Sequence, residues 1–102
     1  MVHSLDIEAL TEGDACVVVV GGEVDMATAP QLDAALAAVD GNVVVDLAAV
    51  SFLDSSGIGV IVRAAQRAQA GGYTLRTRAE RDNVWRTLKV TNLAELLHPD
   101  RD

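Results

Sequence analysis

Two continuous β-branched runs constrain this chain more than anything else in it. Val17-Val18-Val19-Val20, preceded by Cys16, and Val43-Val44-Val45, followed at one remove by Leu47, are short and almost wholly apolar. Such runs read as strands buried on both faces, the habit of parallel sheets. One helix-length segment separates them. Thr28 is placed to cap it, Gln31 three residues on would complete a capping box, and Pro30 fits a first turn where no intrahelical N–H bond is lost. Leu32, Ala35, Leu36 and Val39 then form one apolar stripe. Strand, helix and strand at this spacing predict a right-handed βαβ crossover.

The flanking segments extend the same alternation. Leu5 to Ala9 alternates apolar and polar, as a half-buried strand does, and Glu12-Gly13-Asp14 signals a turn. Gly21-Gly22 is read as the end of the first valine run, and Gly41-Asn42 as the stop after the first helix. A second helix is predicted from about Ser56 to Ala70, stopped by Gly71-Gly72. Its core side would hold Ile58, Ile61, Val62, Ala65 and Ala68, with Gly59, Arg63, Gln66, Arg67 and Ala70 opposite. Tyr73 to Thr77 is a weaker strand with Arg76 interleaved, placed near a sheet edge where charge deters unwanted pairing. A third helix, about Glu80 to Val90, carries Val84, Trp85 and Leu88 on one face. Asn92 is expected in the left-handed conformation after it, and Leu93 to Leu97 as one more short turn or strand. The expected fold class is α/β, a mixed sheet of about four strands with about three helices against it, in one domain over residues 1–102.

Charge and composition narrow the function. A formal net charge of −7 disfavours nucleic acid, whose phosphates must be met by Lys and Arg, and disfavours anionic membrane surfaces. It suits a basic protein partner, or simple solubility. Half the chain is apolar, yet Phe52, Tyr73 and Trp85 are its only aromatics, so the core must come from Val, Leu, Ile and Ala. Cys16 is the sole cysteine, which excludes an intramolecular disulfide and reads as a small buried hydrophobe. Cys16 with the distant His3 and His98 makes no metal site, and no cofactor is implied. Neither a signal peptide nor a membrane-length apolar stretch is evident, so the expected location is cytoplasmic.

The junction Ser51-Phe52-Leu53-Asp54-Ser55-Ser56-Gly57-Ile58-Gly59 follows a buried strand and opens a helix, where loops of α/β folds carry function. A serine at a helix start most often caps it. Both hydroxyls would nonetheless be within reach of a kinase. A phosphate there would lie near the positive end of the helix dipole and add about −1.5 to −2 charges beside Asp54. The residues alone do not choose between cap and switch, or between Ser55 and Ser56. Gly59 is a second puzzle, since an interior glycine costs about 1 kcal/mol against Ala. Either another protein's backbone comes close there, or the helix packs tightly on its own sheet.

An enzyme finds little support. There is no Gly-x-Ser-x-Gly elbow, no dinucleotide fingerprint after Gly57-Ile58-Gly59, and no Gly-Lys-Ser/Thr phosphate loop. Neither His3 nor His98 is placed as a base for a serine nucleophile.

The same residues carry a family resemblance. Gly21-Gly22-Glu23-Val24-Asp25, Thr28-Ala29, Val45-Asp46-Leu47 and Phe52 to Val60 resemble bacterial anti-sigma factor antagonists of the STAS domain fold. Gly71-Gly72 and the Val84, Leu88, Asn92-Leu93 stretch are similar too. The resemblance covers almost the whole chain in one register. It implies partner switching. The unphosphorylated antagonist binds an anti-sigma factor, itself a serine kinase, and frees a sigma factor; phosphorylation ends the complex and a serine phosphatase resets it. Carried over, the modified residue is Ser56, with Ser55 less favoured. The partner-binding set is Asp25, Thr28, Leu53, Asp54, Ser55, Gly57, Ile58, Gly59 and Arg63. For Asp25 the competing reading is an ordinary turn residue. The implied state is a monomer or weak homodimer. Related domains also serve, without a phosphoswitch, as scaffold or accessory subunits of stress-signalling assemblies and lipid transporters. Two departures stand out: a short or missing last helix before Asp102, and an unusually charged strand at Tyr73 to Arg78.

Overall fold

The computed structural model describes residues 5–90 and 94–101. Their elements run β1 (Asp6–Glu12), β2 (Ala15–Val24), α1 (Ala29–Ala37), β3 (Asn42–Leu53), α2 (Ser55–Ala70), β4 (Leu75–Arg78), α3 (Asp82–Val90), α4 (Ala94–Leu97) and β5 (Pro99–Asp100). The five strands form one sheet in sequence order. β1 and β2 are an antiparallel hairpin closed by Gly13, whose φ of +62° suits a tight turn. All later pairings are parallel, each joined by a helical crossover. This is the α/β mixed sheet the valine runs demand, with one more strand and one more helix than expected.

Gly21-Gly22 does not end β2. The strand continues to Val24, and its register against β3 shifts on either side of the glycine pair, with Gly22 at φ +111°. A bulge re-aims a strand. Here the re-aimed end sets Val24 beside Leu53. That pairing brings the loops after β2 and β3 together and creates the site described below.

The buried cluster draws on one face of the sheet: Val18, Val20 and Val24 of β2, Val43, Val45 and Leu47 of β3, and Leu75 of β4. α2 supplies Ile58, Ile61, Ala65 and Ala68, as expected, while Val62 is only half-buried. Gly57, Val60 and Ala64 take buried positions instead. Val17 is 3% exposed yet lies outside that cluster, on the other face beside Leu10. Cys16 is partly rather than fully buried. On the same open face Arg78 reaches Glu12 at 3.0 Å.

Tyr73 falls outside β4 and is exposed, and α3 starts at Asp82 rather than Glu80. The core is completed at the C-terminal end. α4 is a single turn, but it places Leu97 at 0% exposure, worth about 1.5–3 kcal/mol of burial. The buried Thr77 hydroxyl donates to the Leu97 carbonyl at 3.0 Å. His98, at φ +44°, turns the chain into β5 beside β4. Asn92 and Leu93, like His3, lie outside the described residues. Among the described residues no helix is long and apolar enough to cross a membrane.

Candidate functional site

Two loops are locked together where β2 and β3 end. The Asp54 N–H donates to the Val24 carbonyl at 3.1 Å. In the loop after β2, one Asp25 carboxylate oxygen accepts from the Ala27 and Thr28 N–H groups at 2.9 and 3.0 Å. Asp25 thus closes its own turn, as Asx residues do. The Thr28 hydroxyl donates to the Glu23 carbonyl at 2.8 Å and accepts the Asp25 N–H at 2.9 Å. Thr28 is 2% exposed.

This arrangement replaces the expected capping box. Thr28 sits before α1 with helical backbone angles, so its hydroxyl turns back into the loop and caps nothing. Gln31 instead reaches the backbone of Leu5, donating to its carbonyl at 2.8 Å and accepting its N–H at 3.0 Å. The polar pair therefore pins the start of β1 and the loop after β2, rather than the helix start.

The start of α2 is capped by Asp54. Its backbone is extended, and its carboxylate accepts the N–H groups of Ser56 at 2.8 Å and Gly57 at 3.3 Å. A carboxylate in that position also complements the helix dipole. Neither serine is the cap. Among the described residues neither serine hydroxyl has a hydrogen-bond partner; Ser55 is exposed and Ser56 half-buried. Their position at the first turn is thus not required by helix formation.

The glycines divide the remaining work. A Cβ on Gly57 would come within 2.5 Å of both Leu53 Cδ1 and Val24 Cγ1. Tight packing on the chain's own sheet therefore explains Gly57. It does not explain Gly59, where an added Cβ would meet only Arg63 Nη1, at 3.5 Å. Leu53 lies beneath Gly57 at 5% exposure, and Ile58 is 9% exposed. Thr28, Leu53, Gly57 and Ile58 shape the surface from below. Asp54, Ser55, Ser56, Gly59 and Arg63 stand at or near it.

A shallow groove of about 350 Å³ runs between the N-terminal ends of α1 and α2. Met26, Ala29, Pro30 and Asp33 line one side, and Ser55, Ser56, Gly59, Val60 and Arg63 the other. Met26 is 79% exposed, and Phe52, just ahead of the Asp54 cap, is 46% exposed. Reading the sequence did not single out these two exposed apolar side chains. The available signal was Met26 itself, a bulky apolar side chain in a turn otherwise built from Asp25, Ala27 and Thr28. His98 does not line the groove.

Residues 8–98 match the family model described as Mlab, STAS domain. This chain belongs to the STAS domain family. The anti-sigma-B factor antagonist of Staphylococcus epidermidis is 33% identical over 99 residues, 93% of this chain and 92% of that protein. The Staphylococcus aureus protein of the same name is 32% identical over the same shares. Among solved structures, an anti-sigma factor antagonist from Mycobacterium paratuberculosis superposes with a TM-score of 0.82 at 28% identity, over 93% of this chain and 84% of that one. SpoIIAA, an anti-sigma factor antagonist solved in its unphosphorylated form, shares the fold at a TM-score of 0.67 and 19% identity, over 96% of this chain and 86% of that one.

Proposed function

We propose that this STAS domain is an anti-sigma factor antagonist. Its unphosphorylated form binds an anti-sigma factor, itself a serine kinase, through the surface around Asp54-Ser55-Ser56, which frees a sigma factor. Phosphorylation of Ser56 ends the complex, and a serine phosphatase restores it. The reading is supported by the names of its relatives and by one observation above all. Asp54 caps α2, so two serine hydroxyls stand unengaged at the helix start, on a groove that exposed Met26 also lines.

The physical logic of the switch is local charge. Asp54 already occupies the Ser56 and Gly57 N–H groups. A phosphoryl group on Ser56 would therefore add its charge beside an existing carboxylate, at the rim of the docking groove, without the helix start having to be rebuilt. Ser56 is chosen over Ser55 on the family register, and it is also the serine nearer the domain's own packing.

The test is phosphosite mapping with a purified anti-sigma factor kinase from the same organism, paired with binding measurements. Phosphate on Ser56, constitutive binding by Ser56→Ala and weakened binding by Ser56→Glu support the switch. Phosphate elsewhere, or both variants binding like wild type, would sink it. Capture of a transporter ATPase in place of an anti-sigma factor would favour an accessory-subunit role.

A further inference from the structure

Arg63 lies on the same face of α2 as Ser56. The spacing from Ser56 to Gly59 to Arg63 is three, then four, so the positions stack along the helix. Helical side chains lean toward the N-terminus, which sends Arg63 back over Gly59. There its Nη1 stands 3.5 Å from the point a Gly59 Cβ would occupy, and among the described residues, its chain neighbours and the helix's own backbone aside, no other atom comes within 4 Å of that point. All three residues line the one groove.

The charges around them are unbalanced. The Asp54 carboxylate is fixed at the helix start, and Asp33 of α1 faces the groove from the opposite wall. Asp25 closes the adjoining loop. Arg63 is the one cation among the described residues lining the groove, and among the described residues it forms no ion pair. A guanidinium presents a planar fork of donors that matches phosphate oxygens.

We propose that Arg63 is the counter-ion of a phosphoryl group on Ser56, which its guanidinium reaches over the open helix surface at Gly59. The proposal rests on the reading of Ser56 as the modified residue. It gives the modification a double effect on the docking surface. The phosphoryl group adds negative charge, and it also withdraws the groove's cation from any acidic group on the partner. Arg63 is thus a positioning residue for the phosphorylated state.

Phosphoserine installed at position 56 by genetic code expansion tests this without depending on a kinase's choice of serine. The probe is the ³¹P resonance of that phosphate, followed through its second ionisation, which lies near pH 6 in an unperturbed phosphoserine. A nearby cation favours the dianion, so Arg63→Gln is expected to raise that pKa by about half a unit or more relative to wild type. Gly59→Leu, which fills the path over the helix, is expected to raise it in the same direction. A phosphate that titrates identically in the wild-type background and in Arg63→Gln overturns the proposal, whatever serine the kinase uses. A kinase that modifies another residue sinks the Ser56 reading instead, and is seen in the mapping experiment rather than in this titration.

Discussion

Gly57 and Val24 are in contact so close that no side chain fits between them: a Cβ at position 57 would lie 2.5 Å from Val24 Cγ1. The neighbouring wall is Leu53, at the same distance and also buried, so the strain cannot be relieved toward solvent. Gly57→Ala is expected to destabilise the domain by about 1–3 kcal/mol, as overpacked cores do. Gly59→Ala is the control. Its Cβ would make an ordinary contact with the far end of a flexible arginine, and alanine favours the helix by about 1 kcal/mol. Urea unfolding of the pair should separate them in opposite directions. If Gly59→Ala nevertheless weakens partner binding, the groove, not the core, is what requires that glycine.

Asp54 holds the start of α2 by one carboxylate oxygen shared between two N–H groups. Asp54→Ala is expected to cost about 0.5–2 kcal/mol, seen as a lower urea midpoint at unchanged slope. Asp54→Asn keeps an acceptor and should cost less. Ser55→Ala and Ser56→Ala remove hydroxyls with no partner among the described residues and should leave the midpoint nearly unmoved. A large loss in either serine variant would mean that the serines are structural and would count against a regulatory role.

What was legible in the chain follows from what dominated locally. Val17 to Val20 and Val43 to Val45 announced the parallel core because continuous β-branched runs have few other uses. The Ser55–Ala70 helix was legible within a residue, since its apolar spacing and its Gly71 stop agree. The misreadings came where a long-range partner outbid a local one. Thr28 and Gln31 have the spacing of a capping box, but the Glu23 carbonyl and the Leu5 backbone take their side chains. Gly21-Gly22 looks like a terminator, yet pairing with β3 carries the strand through it as a bulge. β5 was invisible because two residues, Pro99 and Asp100, have no periodicity to read. The Asp-Ser-Ser-Gly segment stands out in the sequence by its pattern. The exposure of Met26 and Phe52 does not, because exposure of an apolar side chain is a tertiary fact.

The Thr28 hydroxyl offers a direct probe of the loop that supports the site. It is buried and makes two good backbone bonds, to Glu23 and Asp25. Thr28→Val preserves shape but leaves the Glu23 carbonyl and the Asp25 N–H without that partner, for an expected loss of about 1–3 kcal/mol. Thr28→Ser keeps the hydroxyl and should recover most of it. Because the Asp54 N–H is bonded to the Val24 carbonyl next door, hydrogen exchange at Asp54 should quicken in Thr28→Val. Unchanged exchange there would show that the two loops are not mechanically linked.

Trp85, the single tryptophan, reports on the C-terminal end of the fold. Lys89 Nζ stands 5.3 Å and the Arg101 guanidinium 5.7 Å from the centre of its ring. Arg101 is held there by the Asp82 carboxylate and by the Glu80 carbonyl, to which it donates at 2.8 Å. The hydrogen bond from Arg101, with the charge behind it, holds the Asp82 carboxyl below its ordinary value of 3.8. A depressed carboxylate contributes where it is ionised, above its unfolded pKa, and the contribution disappears as pH falls through the lower folded value. Trp85 emission is therefore constant on the Asp82 account from neutral pH down to about 4, and changes below that as Arg101 is released. Asp82→Asn should show the released emission already at pH 7, with an unchanged far-ultraviolet circular dichroism spectrum. Because the pair is exposed, 1 M salt should move wild type part of the way toward the variant. Emission at pH 7 that is identical in wild type and Asp82→Asn would show that the Glu80 carbonyl and the ring contact hold Arg101 without the Asp82 charge.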